Sequence, residues 1–248
     1  MAQDLSFKLF RSAVAQGGVQ PLPVVGAFIV LVGTMNVVLA IMLLLQRMPD
    51  QAFAWSLRLG VLISLIGMAA AFFMVTPTPH QAAGIASGYG PHVVGAHSVG
   101  VADGGPGLPV LGWSTVGGDL RVAHFVGLHA LQILPLFGWL LTRRRSVLAL
   151  LAGNDRLALV STTGLGYLGL VLLLIWQALR GQSVVSPDTK TIAVASALVA
   201  GVAASIFITV ARVFNRNGKK RVLASAIQIL SHQEDVRKAR FLFHFSLC

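Results

Sequence analysis

Apolar positions along the chain do not alternate and do not fall at every third or fourth place. They run in five long blocks, 24–45, 59–75, 122–142, 157–179 and 191–211. A surface helix of a soluble protein shows a polar stripe, and these blocks show none. A helix rising 1.5 Å per residue needs about 20 apolar residues to cross a bilayer core about 30 Å thick. The second block is short, and Arg58 lengthens it by snorkelling toward the headgroups. The pattern predicts an all-α fold, a polytopic transmembrane helix bundle of five spans. The first block is too long for the apolar region of a cleaved signal peptide.

The connection 76–121 between spans two and three holds 11 of the 26 glycines and 5 of the 10 prolines, and has no Lys or Arg before Arg121 at its end. It is expected to be a long irregular Gly/Pro-rich outer loop folded over the bundle, because short cytoplasmic loops carry the excess of Lys and Arg. Alternation then puts 14 of the 19 basic residues inside, among them Arg47, Arg58, Arg143, Arg144, Arg145, Arg156 and those after the fifth span. Lys8, Arg11, Arg121, Arg180 and Lys190 lie outside. This predicts the N-terminus out and the C-terminus in. Residues 1–23 form an N-terminal amphipathic segment with Leu5, Phe7, Leu9 and Phe10, and 214–248 a basic cytoplasmic tail whose Val222, Ala226, Ile229 and Leu230 share a helix face.

Small residues mark the faces where helices can approach closely: Gly60 and Ser64, then Gly164, Gly166 and Gly169, then Ala193, Ala197, Gly201 and Ala204. They allow a helix-mediated oligomer as well as packing within the chain. Pro135 predicts a kink in the third span. No repeat relates the two halves, so an inverted-repeat transporter has no support, and Asn36 is the one markedly polar residue near a span centre.

Composition sharpens this picture. The chain is 55% hydrophobic and 11% charged, with a mean hydropathy of +0.78. Disorder needs the opposite balance. A soluble enzyme would need more polar side chains to cover its surface. The net charge of +11 lies beside apolar runs, which points to anionic lipid headgroups in a bilayer and away from nucleic acid. The one Cys, Cys248, excludes an intrachain disulfide and a Cys-based zinc site. No Gly-x-Ser-x-Gly elbow, phosphate-binding glycine loop or His-Glu-x-x-His is present.

Chemistry gathers at one membrane boundary, which holds five of the seven histidines: His80, His92, His97, His124 and His129. Ionisable groups within a span usually face the bundle interior and mark function. His124 and His129 lie about 3 and 10 Å below Val122, and five residues place them about 140° apart. They cannot ligate one metal from one face. Gln132 shares the face of His129, and Asp119 stands where a carboxylate caps a helix start. Three readings remain open. The cluster is structural; or it is a haem b or other metal site using His97, His124 or His129; or it is a lipid, quinone or small-molecule site drawing on His97, Trp113, Asp119, Arg121, His124, His129 and Gln132, with Trp176, Gln177 and Arg180 as further donors.

The runs Gly95-Ala96-His97-Ser98-Val99-Gly100, Gly104-Gly105-Pro106-Gly107-Leu108-Pro109 and Gly112-Trp113-Ser114-Thr115, then Gly117-Gly118-Asp119-Leu120-Arg121 with His124, Gly127 and His129, resemble a group of uncharacterised bacterial integral membrane proteins. Trp176-Gln177-Ala178-Leu179-Arg180-Gly181-Gln182 with Pro187-Asp188 is similar to the same group. The resemblance covers about 60–210. It implies a protein of the bacterial cytoplasmic (inner) membrane and carries no activity. Members have more chain ahead of the first span, which implies that an earlier span is missing here.

Overall fold

A computed structural model describes residues 21–88, 94–143 and 151–245. Of the predicted amphipathic segment 1–23, residues 1–20 lie outside these, as do His92, Arg144 and Arg145, and 21–23 open the first helix. Six helices are described: α1 Pro21–Leu45, α2 Gln51–Val75, α3 Pro79–Ala86, α4 Leu120–Thr142, α5 Gly153–Leu179 and α6 Thr189–Phe245. A two-residue antiparallel ladder pairs β1, Ser98–Val99, with β2, Gly118–Asp119. Five of the helices are long and apolar enough to cross a membrane. The chain is a multi-pass membrane protein with an all-α bundle.

The core lies among α2, α4 and α5. Ile63, Ala130, Leu134 and Val171 form one buried cluster, and Ala52, Leu141, Leu159 and Val160 another. The seam between α2 and α4 is built from small residues. A Cβ added to Gly67 would stand 2.7 Å from Cα of Gly127, and one added to Gly127 would stand 2.5 Å from Cα of Gly67. Further along, Gly60 faces Pro135 and Gly138 faces Ser56. The proline that costs α4 a backbone bond is thus packed against a position with no side chain. On α5, Gly164 receives Leu59 of α2, while Gly166 and Gly169 receive Val202 and Leu198 of α6.

Both outer helices are lightly covered. Ala40 is the one buried residue of α1 among those described. The α1–α2 turn is held by Arg58, whose Nε donates to the carbonyl of Leu43 at 2.9 Å and Nη2 to that of Gln46 at 2.7 Å. Here the helix differs from the predicted span. It begins eight residues earlier than position 59, because Asp50 caps it by accepting from the Phe53 N–H at 3.0 Å, and Arg58 lies within it. At the same end Arg156 pairs with Asp50 at 3.1 Å, and Arg216 pairs with Asp155. These two ion pairs tie α5 to α2 and to α6.

Two further differences matter. The helix of the fifth span continues without a break to Phe245, so the predicted tail is the same helix carried on. A helix needs no apolar run to persist, and neither Asn215 nor Gly218 stops this one. The 76–121 connection is not wholly irregular. Thr78 and Gln81 form a capping box that starts α3. The Gln81 side chain also clamps Gly95, accepting from its N–H at 2.9 Å and donating to its carbonyl at 3.0 Å. Ala96 N–H then bonds to the carbonyl of Met74 at 2.9 Å, and Leu120 N–H to that of His97 at 3.0 Å. The connection is a cap fastened to the ends of α2 and α4.

Candidate functional site

Asp119 organises the cap. Its side chain is 1% exposed and caps α4, accepting from Arg121 N–H at 3.0 Å and from Ser114 N–H at 2.9 Å. The Arg121 guanidinium grips the same carboxylate through Nε at 3.0 Å and Nη2 at 2.7 Å, and its Nη2 also donates to the Gly112 carbonyl at 2.6 Å. Burial pushes the Asp119 carboxyl up, but the bonds from Arg121 and from Ser114 together outweigh it and hold it below the usual carboxylate value. His97 sits beside this group, with Nδ1 3.3 Å from Asp103 Oδ1, 3.9 Å from Asp119 Oδ1 and 3.1 Å from Ser98 Oγ.

The cap also rests on the α5–α6 turn. A Cβ on Gly118 would lie 2.0 Å from the carbonyl oxygen of Ala178. Ser183 Oγ donates to the Ser114 carbonyl at 3.0 Å, and Gln177 Nε2 donates to the Ser183 carbonyl at 2.8 Å. Arg180 lies 4.4 Å over the Trp176 ring and pairs with Asp188. The donors of Gln177 and Arg180 are therefore engaged within the chain.

The histidines of α4 take opposite roles. His124 points into the bundle, where its Nδ1 donates to the carbonyl of Gly67 at 2.8 Å beside the glycine seam. His129 is exposed, its Nδ1 donating to the carbonyl of Phe125, on its own helix, at 2.8 Å. The His129 ring lies 4.1 Å from that of Phe125, which meets the Trp113 ring edge-on at 5.7 Å. Gln132, also exposed, is satisfied when its side-chain nitrogen donates to the carbonyls of Leu128 and His129, at 3.2 Å each. So the expectation that ionisable groups within a span face the interior holds for His124 and not for His129. The reason is local: a back-bonded side chain meets its donor requirement without a second helix.

His97, His124 and His129 thus stand in three different surroundings: the cap, the bundle interior and the exposed face of α4. His80 is exposed on α3. Among the described residues no group of three or more His, Cys, Asp or Glu side chains is arranged to hold a metal ion. Two residues that sequence reasoning passed over belong to the picture. Phe125 carried no signal within an apolar run, although it stands four residues before His129. Gln81 did carry one, since Thr78-x-x-Gln81 is the capping-box spacing.

No protein-family model, curated protein or solved structure matches the chain.

Proposed function

We propose that this multi-pass protein binds a small amphipathic molecule, a quinol or a hydroxyl-bearing lipid, on the exposed face of α4 between Trp113 and Gln132. In this reading it lies in the bacterial cytoplasmic membrane, with the cap and N-terminus outside and the C-terminus inside.

One observation carries the proposal: two acceptors stand outward on a membrane helix. The Phe125 carbonyl takes the Nδ1–H of His129, which in that tautomer leaves Nε2 as an acceptor. Gln132 is exposed, and with its amide nitrogen donating to its own helix its oxygen is the group left to accept. Both groups want a donor, and hydrocarbon supplies none. A hydroxyl does, and the rings of Phe125 and Trp113 offer a phenolic ring an aromatic neighbour. His129 lies about 13 Å along α4 from its first residue, a depth that the polar end of a membrane-dissolved quinol can reach.

The test is titration of the purified protein in phospholipid nanodiscs with a short-chain quinol, read by quenching of tryptophan fluorescence. Saturable quenching is expected. Its midpoint should rise about tenfold in His129→Leu, the ratio set by one hydrogen bond worth about 1.4 kcal/mol, with the thermal midpoint unchanged because the side chain is exposed. His124→Leu should keep binding and lose about 0.6 kcal/mol of stability, the mean for an interhelical hydrogen bond in a membrane. Equal titrations for the parent and His129→Leu would refute the reading. So would a haem absorption band in the purified protein that disappears in His129→Ala, which would assign the residue to haem b instead.

A further inference from the structure

We propose that the hairpin 107–114 is a lipid-dipping element: its tip, Val110 and Leu111, enters the bilayer leaflet at the cap end of the bundle. The kind of partner is the boundary between phospholipid headgroups and acyl chains.

Position comes first. The base of the hairpin is fixed where Gly107 bridges Ser114, and Ser114 N–H bonds to Asp119 at the start of α4. From that base the chain does not turn away from the bundle. Gly112 is held by Arg121, one helical residue inside α4, and Trp113 lays its ring against Phe125, four residues deeper. Phe125 is on the exposed face of α4. The hairpin therefore lies against the outer end of α4 on its exposed flank, with Val110 and Leu111 at its tip exposed.

The tip also has the chemistry for that medium. Fifteen consecutive residues, 104–118, include no Asp, Glu, Lys, Arg or His. Hydrocarbon punishes unpaired backbone groups, and the turn closes several of its own on either side of Val110. Leu108 N–H bonds to Trp113 O, Gly112 N–H to Leu108 O and Leu111 N–H to Pro109 O, each at 2.8 Å, while Arg121 takes Gly112 O.

Val110 is the third indication. It is the one non-glycine residue with positive φ among those described, at 69°, and it is fully exposed. A β-branched residue is poorly suited to that conformation, and a Gly or Asn would suit the turn better. A valine there gains nothing from water, whereas its side chain gains from lipid. Trp113 beside it is the residue type that anchors at the interface.

The experiment uses the full chain with Cys248→Ser, reconstituted in phospholipid nanodiscs, with a nitroxide attached at Val110→Cys or, as a second variant, at Leu111→Cys. Collision with oxygen, which concentrates in lipid, is compared with collision with a water-soluble nickel chelate. Phe207→Cys on the exposed face of α6 is the lipid reference, and Ala102→Cys in the cap the water reference. The expected ratio of oxygen to nickel collisions is several-fold above that at 102 and close to that at 207. A ratio like that at 102 overturns the proposal. Protection from both reagents also overturns it, because the tip would then be covered by protein.

Discussion

Gly67→Val is expected to leave little folded protein. At this crossing α2 and α4 touch backbone to backbone, and a single added Cβ would stand 2.7 Å from Cα of Gly127, 2.8 Å from its carbonyl carbon and 2.9 Å from the nitrogen of Leu128. None of these atoms is the free end of a side chain, so the helices must part. Overpacking costs about 1–3 kcal/mol where side chains can yield, and the cost here belongs at or above the top of that range. The same separation breaks the bond from His124 to the Gly67 carbonyl and loosens the cluster of Ile63, Ala130, Leu134 and Val171. The measurement is the fraction of protein that stays monodisperse after detergent extraction, with its thermal midpoint. Gly33→Val is the control, since a Cβ there meets nothing within 4 Å, and it should behave as the parent.

Asp119→Ala should detach the cap from the bundle while leaving the spans in place. It removes the cap of α4, the acceptor of Ser114 N–H and the partner of Arg121 together. Breaking a buried ion pair costs about 3–5 kcal/mol. The low end applies here, because the Arg121 side chain keeps 33% of its surface exposed and water can take back part of the charge. Hydrogen exchange should become fast at Leu120 and across 94–119, yet stay slow in the middle of α2, α4 and α5. Acidity gives a second handle. The Asp119 carboxyl is held below its ordinary value of 3.8, and so is that of Asp103, where bonds from Ser98 and His97 outweigh burial. A carboxyl lowered in the folded state contributes stability that is complete above its unfolded value and lost as pH falls through the folded one. The cap should therefore hold its protection down to about pH 4 and lose it below, and Asp119→Ala should already be unprotected at neutral pH.

The five spans were legible because burial in lipid leaves a composition signal that needs no periodicity. Charge marked where apolar runs stop, but not where helices stop. Asp50 begins α2 well before its apolar run, and α6 runs far past Ala211. The candidate site was legible in part. A separation of five told that His124 and His129 face apart, and Gly127, three residues after His124, shared the side that packs on Gly67. His129 looks outward by that same phase, while the bond that satisfies its Nδ1–H, to its own Phe125 carbonyl, is a rotamer choice with no sequence pattern. Of the cap, the sequence showed the glycine and proline content and Asp119 as the start of α4. The cap's order comes from single side chains that reach across many residues, Gln81 to Gly95 and Ser183 to Ser114, and such bonds repeat at no spacing.

The proposed orientation puts the cap and the start of α5 on opposite sides of a membrane. With Cys248→Ser as background, single cysteines at Ala102 in the cap and at Asn154 at the start of α5, both exposed, can be challenged in intact cells with a thiol reagent that does not cross membranes. Labelling at 102 from outside, with labelling at 154 only after the membrane is opened, is the predicted result. Labelling of 154 in intact cells would contradict it.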